Sequence, residues 1–259
     1  MVELFFERFG KVITEFLEFF GGFGRILFQS AREMVTPPYY VSLTLSEVYS
    51  IGYKSIPLIA ATCLSTGMVI ALQIAYGLEK FGGQLYVPKV VALSFIRELG
   101  PVFTSLMVAA RVGAGIAAEV GSMNVTEQID AIRALGTSPI KRIVIPRVLG
   151  TLISLPLLTT FGILIGLIGG MIVCYTDLSL TPQYYYNKIM ETLTLKDFFS
   201  GLGKTFFFAI FISIIGCFKG FTTTGGTRGV GLSTTESVVI SAITILISDF
   251  FLSKFFLSL

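Results

Sequence analysis

The chain has 259 residues, of which 53% are hydrophobic and only 14% are charged, and its mean hydropathy is +0.82. Soluble domains carry about 25% charged residues. This composition therefore excludes a soluble domain and indicates a membrane protein. The net charge of +3 is small and predicts no nucleic-acid partner. Histidine is absent, and the three cysteines form no CxxC pair. We therefore expect no metal site, no catalytic residue and no disulfide framework.

Residues 1–40 are predicted to contain an amphipathic helix that lies in the membrane interface. Charged residues recur on one side of it and apolar residues on the other, namely Phe5, Phe9, Val12, Phe16 and Phe20. Glutamates interrupt the apolar run, which argues against a signal peptide. Packing of this helix against the membrane spans is an equally good interpretation of the same pattern.

Five apolar stretches between residues 55 and 257 are each long enough to cross a bilayer, which takes about 20 helical residues. They are predicted at about 55–78, 90–118, 143–175, 199–218 and 238–257. Glycines in the third stretch, at 162, 166, 169 and 170, would allow close helix approach. The sequence therefore predicts an all-α polytopic fold, with residues 1–259 forming one domain.

Residues 124–136, between the second and third spans, are predicted to form a short amphipathic helix. Asn124 and Glu127 resemble a capping box, and Gly136 followed by Pro139 is a stop signal. Apolar side chains fall on one side, and charged side chains fall on the other. Such a helix either lies on the membrane surface or inserts into a groove on a soluble partner.

Lysine and arginine placement predicts the orientation. Lys54, at the edge of a span, and Lys204, within one, are left out of the count. Of the other lysines and arginines, eleven fall on one side of the membrane and six on the other. The positive-inside rule then places the amino terminus, the 124–136 helix and the 219–236 loop in the cytoplasm. Five spans place the carboxyl terminus on the outer side of the membrane. The 177–197 loop lies on the same side, with tyrosines 184–186 in the aromatic belt.

Charged residues adjoin or interrupt the apolar spans, where a charge is costly unless it is paired or faces water. Arg97 and Glu98 begin the second span, Lys204 lies in the fourth and Asp249 in the fifth. A Lys204–Asp249 pair would only fix the bundle, and we weigh that interpretation equally with a functional role. Arg97 and Glu98 lie at the outer end of their span, which favours a functional role for them.

Several motifs, spaced in order, resemble one permease family. They are RELGPV from residue 97, AARVGAGIAAEVGSM from 109, VTEQIDAIRALGTSP from 125 and GTRGVGLSTTESVV from 226. The chain is similar in these segments to the MlaE/YrbE-type permeases of MCE-linked ABC lipid transporters. The resemblance extends over nearly the whole chain.

The resemblance implies a homodimeric permease of the inner membrane that moves phospholipid or a similar amphiphile. Its partners would be two ABC ATPase subunits, an MCE-domain protein and, in some systems, a STAS-domain protein. The 124–136 helix would be the coupling helix, meeting the ATPase through Glu127, Gln128, Asp130 and Arg133. The lipid cavity would be bordered by Leu78, Phe81, Arg97, Glu98 and Leu99. The chain has no GxxxxGK[ST] motif, so ATP would be bound by the ATPase and no cofactor by this chain.

Two other functions stay open at this stage. DAIRALG followed by IVIP partly resembles the EAA loop of importer-type ABC permeases, which move polar solutes, although its spacing is shorter than in that pattern. A membrane-embedded enzyme is the third hypothesis. It lacks support because the sequence has no HExxH motif and Asp249 has no second intramembrane aspartate.

Overall fold

The computed structural model describes residues 21–258, which form eight helices and no strand. The predicted interfacial helix with its phenylalanine face lies outside the described residues. We number the helices in chain order as α1 (21–34), α2 (Val41–Glu79), α3 (Gln84–Val125), α4 (Gln128–Ala134), α5 (Ile140–Thr176), α6 (Pro182–Thr192), α7 (Leu195–Phe221) and α8 (Gly226–Ser258).

Helices α2, α3, α5, α7 and α8 are each long and apolar enough to cross a membrane. This confirms the all-α prediction with five spans. Helices α2 and α8 begin before the predicted first and last spans, at Val41 and Gly226. The extra turns carry Glu47 and Glu236, two charged residues that lie outside the predicted apolar stretches. Both carboxylates have a basic partner on another helix, so the helices continue through them.

The long helices alternate in direction, which gives the bundle two distinct ends. One end holds α4 and the α7–α8 turn, and the other holds α6 and the α2–α3 turn. Helix α7 is the most enclosed of the five spans, since 61% of the residues in its 18-residue apolar stretch are buried. In α8 the corresponding share is 11%. The exposed side of α8 is apolar and includes Ile243, Ile247 and Phe251. A face of this kind is suited to lipid or to another membrane helix.

Helix α3 is not a regular α-helix. It contains two π-helical segments, Phe95–Leu99 and Ala109–Gly113, and a third π-helical segment, Ile140–Val144, begins α5. Insertions of this type are rare and occur frequently at functional sites. The first of them contains Arg97 and Glu98, so the irregular backbone coincides with the charged start of the predicted second span.

Helix α6 replaces the loop predicted after the third span. Thr181 caps it by accepting a hydrogen bond from the Tyr184 backbone N–H at 3.3 Å. Tyr185 is buried and donates its hydroxyl to the Leu167 carbonyl at 3.0 Å. The interfacial position predicted for it was wrong, because α6 turns this one tyrosine inward against α5. Burial raises the pKa of Tyr185 above its ordinary value.

Helices α2 and α5 form the most extensive helix pair of the bundle, and small residues allow it. A Cβ atom added to Gly67 would collide with the Gly166 carbonyl, and one added to Gly169 would collide with the Leu64 carbonyl. The backbones can approach this closely only because these side chains are absent. The predicted role of the glycines in the third span is confirmed.

Two glycines of α2 provide a matched test of this contact. Gly67→Ala should destabilise the protein by about 1–3 kcal/mol, because the added methyl group meets backbone. Gly77→Ala should be neutral or stabilising by up to about 1 kcal/mol, because Gly77 is exposed with open space around it. Thermal unfolding of the two variants in detergent measures the difference. Equal melting temperatures would contradict the close-packing account.

Candidate functional site

Lys204 lies at the centre of a charged cluster at the α6 end of the bundle. Its side chain on α7 is only 1% exposed. The ammonium group donates to Glu98 Oε2 on α3 at 2.5 Å and to Asp249 Oδ1 on α8 at 3.2 Å. It also contacts Ser253 Oγ at 2.6 Å, and this hydroxyl in turn donates to Glu98 Oε2 at 3.0 Å. One buried cation therefore joins three spans.

The backbone of α3 supplies a further acceptor to this cluster. Pro101 has no N–H, so the carbonyl of Arg97 lacks the donor that an ordinary residue four positions later would provide. Lys204 Nζ donates to this carbonyl at 3.1 Å. The proline of the RELGPV segment thus leaves an oxygen free at the position where the buried ammonium needs one. We call Glu98, Lys204, Asp249 and Ser253 the Lys204 cluster.

Arg97 points to a different partner. Its Nε donates to Asp197 Oδ1 at 2.6 Å. The other oxygen of Asp197 accepts from the backbone N–H and the hydroxyl of Thr194, at 2.9 and 2.7 Å, in a capping box that begins α7. Sequence reasoning missed Asp197, although the T-x-x-D spacing before an apolar run is a recognisable signal. Arg97 therefore ties the start of α7 to α3.

Arg97 and Glu98 remain partly open to the surroundings of the single chain. Their side chains are 40% and 39% exposed, whereas those of Lys204 and Asp197 are 1% and 4% exposed. The paired charges thus form a buried inner layer and an accessible outer layer at the same end of the bundle. The outer layer is able to contact a polar group that approaches from outside the chain.

The other residues predicted to bind substrate lie in separate places. Leu99 is half-buried against the main hydrophobic core, and Leu78 is half-buried against a smaller cluster between α2, α3, α5 and α6. Phe81, in the turn after α2, is 84% exposed. The structure therefore brings Arg97 and Glu98 together with Lys204 and Asp249, and places the three apolar residues around this end of the bundle.

The short helix at the opposite end differs from its prediction. Asn124 does not cap it, since α3 continues to Val125 and the Asn124 side chain donates to the Thr223 carbonyl at 3.0 Å. Glu127 stands at the N-cap with φ 59° and makes no side-chain cap bond. The predicted range 124–136 is corrected to Gln128–Ala134. Gly136, with φ +72°, ends the helix as predicted.

Helix α4 presents a charged surface away from the bundle. Ile129 is buried, and Ile132 is packed against the main core. Asp130 and Arg133 are both exposed and pair with each other at 3.0 Å within the helix. Glu127 and Gln128 are exposed at its start. The four residues predicted to face an ATPase therefore lie at the surface of this end.

Residues 21–258 contain no group of three or more His, Cys, Asp or Glu side chains that could hold a metal ion. The Lys204 cluster has only two carboxylates, and a lysine ammonium occupies the space between them.

The cluster can be tested by removing its charges. Lys204→Met should destabilise the protein by about 3–5 kcal/mol, because it leaves Glu98 and Asp249 facing each other without a cation. Combining it with Glu98→Gln and Asp249→Asn should restore much of the loss. Thermal unfolding in detergent gives the comparison, with Lys254→Met, an exposed position on α8, as the control. If Lys204→Met melts like Lys254→Met, the cluster does not hold the bundle.

Comparison with known proteins assigns the chain to a family. Residues 44–255 match the family model described as Permease MlaE. The chain is 41% identical over 247 residues to a probable ABC transporter permease protein of Rickettsia conorii, covering 95% of each. It is 40% identical over 210 residues to a probable ABC transporter permease protein of Synechocystis, covering 81% of this chain and 80% of the other. It is 37% identical over 213 residues to the chloroplastic protein trigalactosyldiacylglycerol 1 of Arabidopsis thaliana, covering 82% of this chain and 61% of the other.

Proposed function

Since the chain belongs to the MlaE family of ABC transporter permeases, we propose that it moves phospholipid or a similar amphiphile between the inner membrane and an MCE-domain partner. The observation that carries the proposal is the partly exposed charge of Arg97 and Glu98 beside the buried Lys204 cluster. A polar rim on an apolar bundle matches a molecule that has a headgroup and acyl chains. The name of the Arabidopsis relative is that of a galactolipid, which supports an amphiphilic substrate.

The transporter would be a homodimer. In a two-fold pair the same surface of each chain faces the other, so both copies of Arg97 and Glu98 would surround one cavity. Leu78, Phe81 and Leu99 would supply its apolar wall. Pairing would also cover part of the apolar surface that a single chain leaves exposed on its outer helices.

Energy would come from separate ATPase subunits that dock on α4. The exposed Glu127, Gln128, Asp130 and Arg133 would contact them, and a STAS-domain protein would join in some systems. The lysine and arginine distribution supports a cytoplasmic position for the α4 end. The α6 end, with the carboxyl terminus, would then face the periplasm and the MCE-domain protein.

Docking of the ATPase can be tested by exchanging the charges of α4. Asp130→Arg together with Arg133→Asp keeps an ion pair within the helix but reverses the pattern that a partner meets. The amount of ATPase recovered with the purified permease should fall about tenfold or more, since like charges then face each other. The level of permease in the membrane should not change.

Helix α6 offers a matched control. Lys188 and Glu191 form an exposed pair of the same spacing at the opposite end, 2.7 Å apart. Exchanging these two charges should leave ATPase recovery unchanged. Equal recovery after both exchanges would remove α4 as the docking site, and equal loss would show that the effect is not local.

The lipid cavity can be tested with a photo-crosslinking amino acid in native membranes. At Leu99 it should capture lipid several times more strongly than at Leu164, which is exposed on the outward side of α5. The reason is that a cavity holds a lipid in one place, whereas lipid around the protein exchanges freely. Mass spectrometry of the captured lipid gives the yield at each position. Equal yields would indicate surrounding lipid and would contradict the cavity.

A further inference from the structure

A second buried cation joins three spans at the α4 end. The Arg147 side chain on α5 is 6% exposed. Its Nη2 pairs with Glu119 Oε2 on α3 at 2.9 Å, and its Nε lies 3.7 Å from Glu47 Oε1 on α2. Its Nη1 donates to the Ile143 carbonyl of its own helix at 2.9 Å. We call Glu47, Glu119 and Arg147 the Arg147 node.

The node is incomplete on its α2 side. Among the described residues Arg147 Nε has no hydrogen-bond partner although it is buried. The 3.7 Å to Glu47 is an ion-pair distance and is too long for an N–H···O bond. A shift of the Glu47 carboxylate by about 1 Å, through rotation of its side chain or movement of the start of α2, would bring it within hydrogen-bond distance. A buried donor of a charged group is unfavourable when unpaired, so a state in which this bond forms would be stabilised.

A cavity separates the node from α4. Its volume is about 290 Å³, and its lining includes all three residues of the node, Met123 of α3 and Ile132 of α4. Glu119 is 63% exposed, so its carboxylate is free to change partners. Helix α4 is anchored to the bundle by Ile129 and Ile132, and it faces Arg147 across this space. The space gives α4 room to move relative to the ends of α2 and α5.

We propose that Arg147 is a positioning residue that transmits movement of α4 to α2. The inference rests on the proposed function. Helix α3 ends at Val125 and α4 begins at Gln128, so a displacement of α4 by the ATPase is passed to the end of α3, which carries Glu119. Arg147 then changes the balance of its ion pairs between Glu119 and Glu47. Helix α2 has 39 residues, a length of about 58 Å. It connects the node at Glu47 with Leu78 at the other end of the bundle, and Pro57 lies between the two residues.

The test uses the complete transporter in vesicles containing fluorescent phosphatidylethanolamine and phosphatidylglycerol. It measures the amount of fluorescent lipid exchanged with the MCE-domain partner for each ATP hydrolysed. Glu47→Gln and Glu119→Gln each remove one charged partner from Arg147 and keep the side-chain shape. Each should lower the ratio about tenfold, the size expected when one charge-assisted hydrogen bond differs between two states. ATP hydrolysis and ATPase recovery should stay within about twofold of the parent transporter.

Glu236→Gln is the matched control, because Glu236 forms a comparable ion pair with Lys219 at the same end, at 2.8 Å, and does not line this cavity. It should leave the ratio unchanged. Arg147→Lys should also lower the ratio, since an ammonium group lacks the planar fork that reaches two carboxylates. If one glutamine variant fails to accumulate, the other decides, because the two carboxylates lie on different helices.

An unchanged ratio in the glutamine variants would overturn the role of Arg147, and so would a parallel fall of hydrolysis and transport. A lower ratio in Glu236→Gln as well would overturn it too, since the effect would then not belong to the node. If the parent transporter hydrolyses ATP but exchanges neither lipid, the proposed function fails together with the inference. If the parent transporter exchanges lipid and the variants have the same ratio of lipid exchanged to ATP hydrolysed, only the inference fails.

Discussion

The structure depends on the burial of one ammonium group. A lysine side chain is unstable in an apolar bundle unless several oxygens surround it, and Lys204 obtains them from α3 and α8. This requirement explains local features that otherwise look unrelated. Pro101 releases a backbone carbonyl, the π-helical segment Phe95–Leu99 adjoins it, and Ser253 links the cation to Glu98. Two helices supply the acceptors of Lys204, which lies on a third, because no one of them satisfies the charge alone.

The same principle operates at the other end, around Arg147. Helix α3 contributes a carboxylate to both places, Glu98 at one end and Glu119 at the other. The 21 residues that separate them in sequence correspond to about 32 Å of helix, close to the thickness of about 30 Å of the hydrocarbon core. The two charged groups are therefore about one hydrocarbon thickness apart along α3. Between them, contact depends on glycine-mediated packing such as that of α2 and α5.

Sequence reasoning succeeded where the determining signal is local. The five apolar stretches, the glycines of the third span and the left-handed Gly136 that ends α4 each follow from neighbouring residues. Sequence reasoning failed where a residue's hydrogen-bond or ion-pair partner lies far away in the chain. Asn124 looks like a helix cap until Thr223 is placed beside it. Glu47 lies outside the predicted first span, and its partner Arg147 is 100 residues away.

The candidate site shows the same division. Lys204 and Asp249 could be identified from the cost of charge in an apolar segment, and their pairing was one of two interpretations. The participation of Glu98 could not be predicted from the sequence, because Arg97 and Glu98 are adjacent but have different partners. The backbone turn between them directs one side chain to the cap of α7 and the other to the buried lysine. Spacing alone cannot distinguish two neighbours whose partners are both about a hundred residues away.

The distribution of exposed side chains bears on the choice between an amphiphile and a polar solute. A path for a polar solute needs polar side chains along its length, because each polar group moved through an apolar wall loses hydration. In α8 the exposed residues of the middle of the helix are valine, isoleucine, leucine and phenylalanine, from Val239 to Phe251. The accessible charges Arg97 and Glu98 belong to one end of the bundle. The exposed face of α8 therefore offers no path for a polar solute, and the accessible charges at one end of the bundle agree with the amphiphile proposed above.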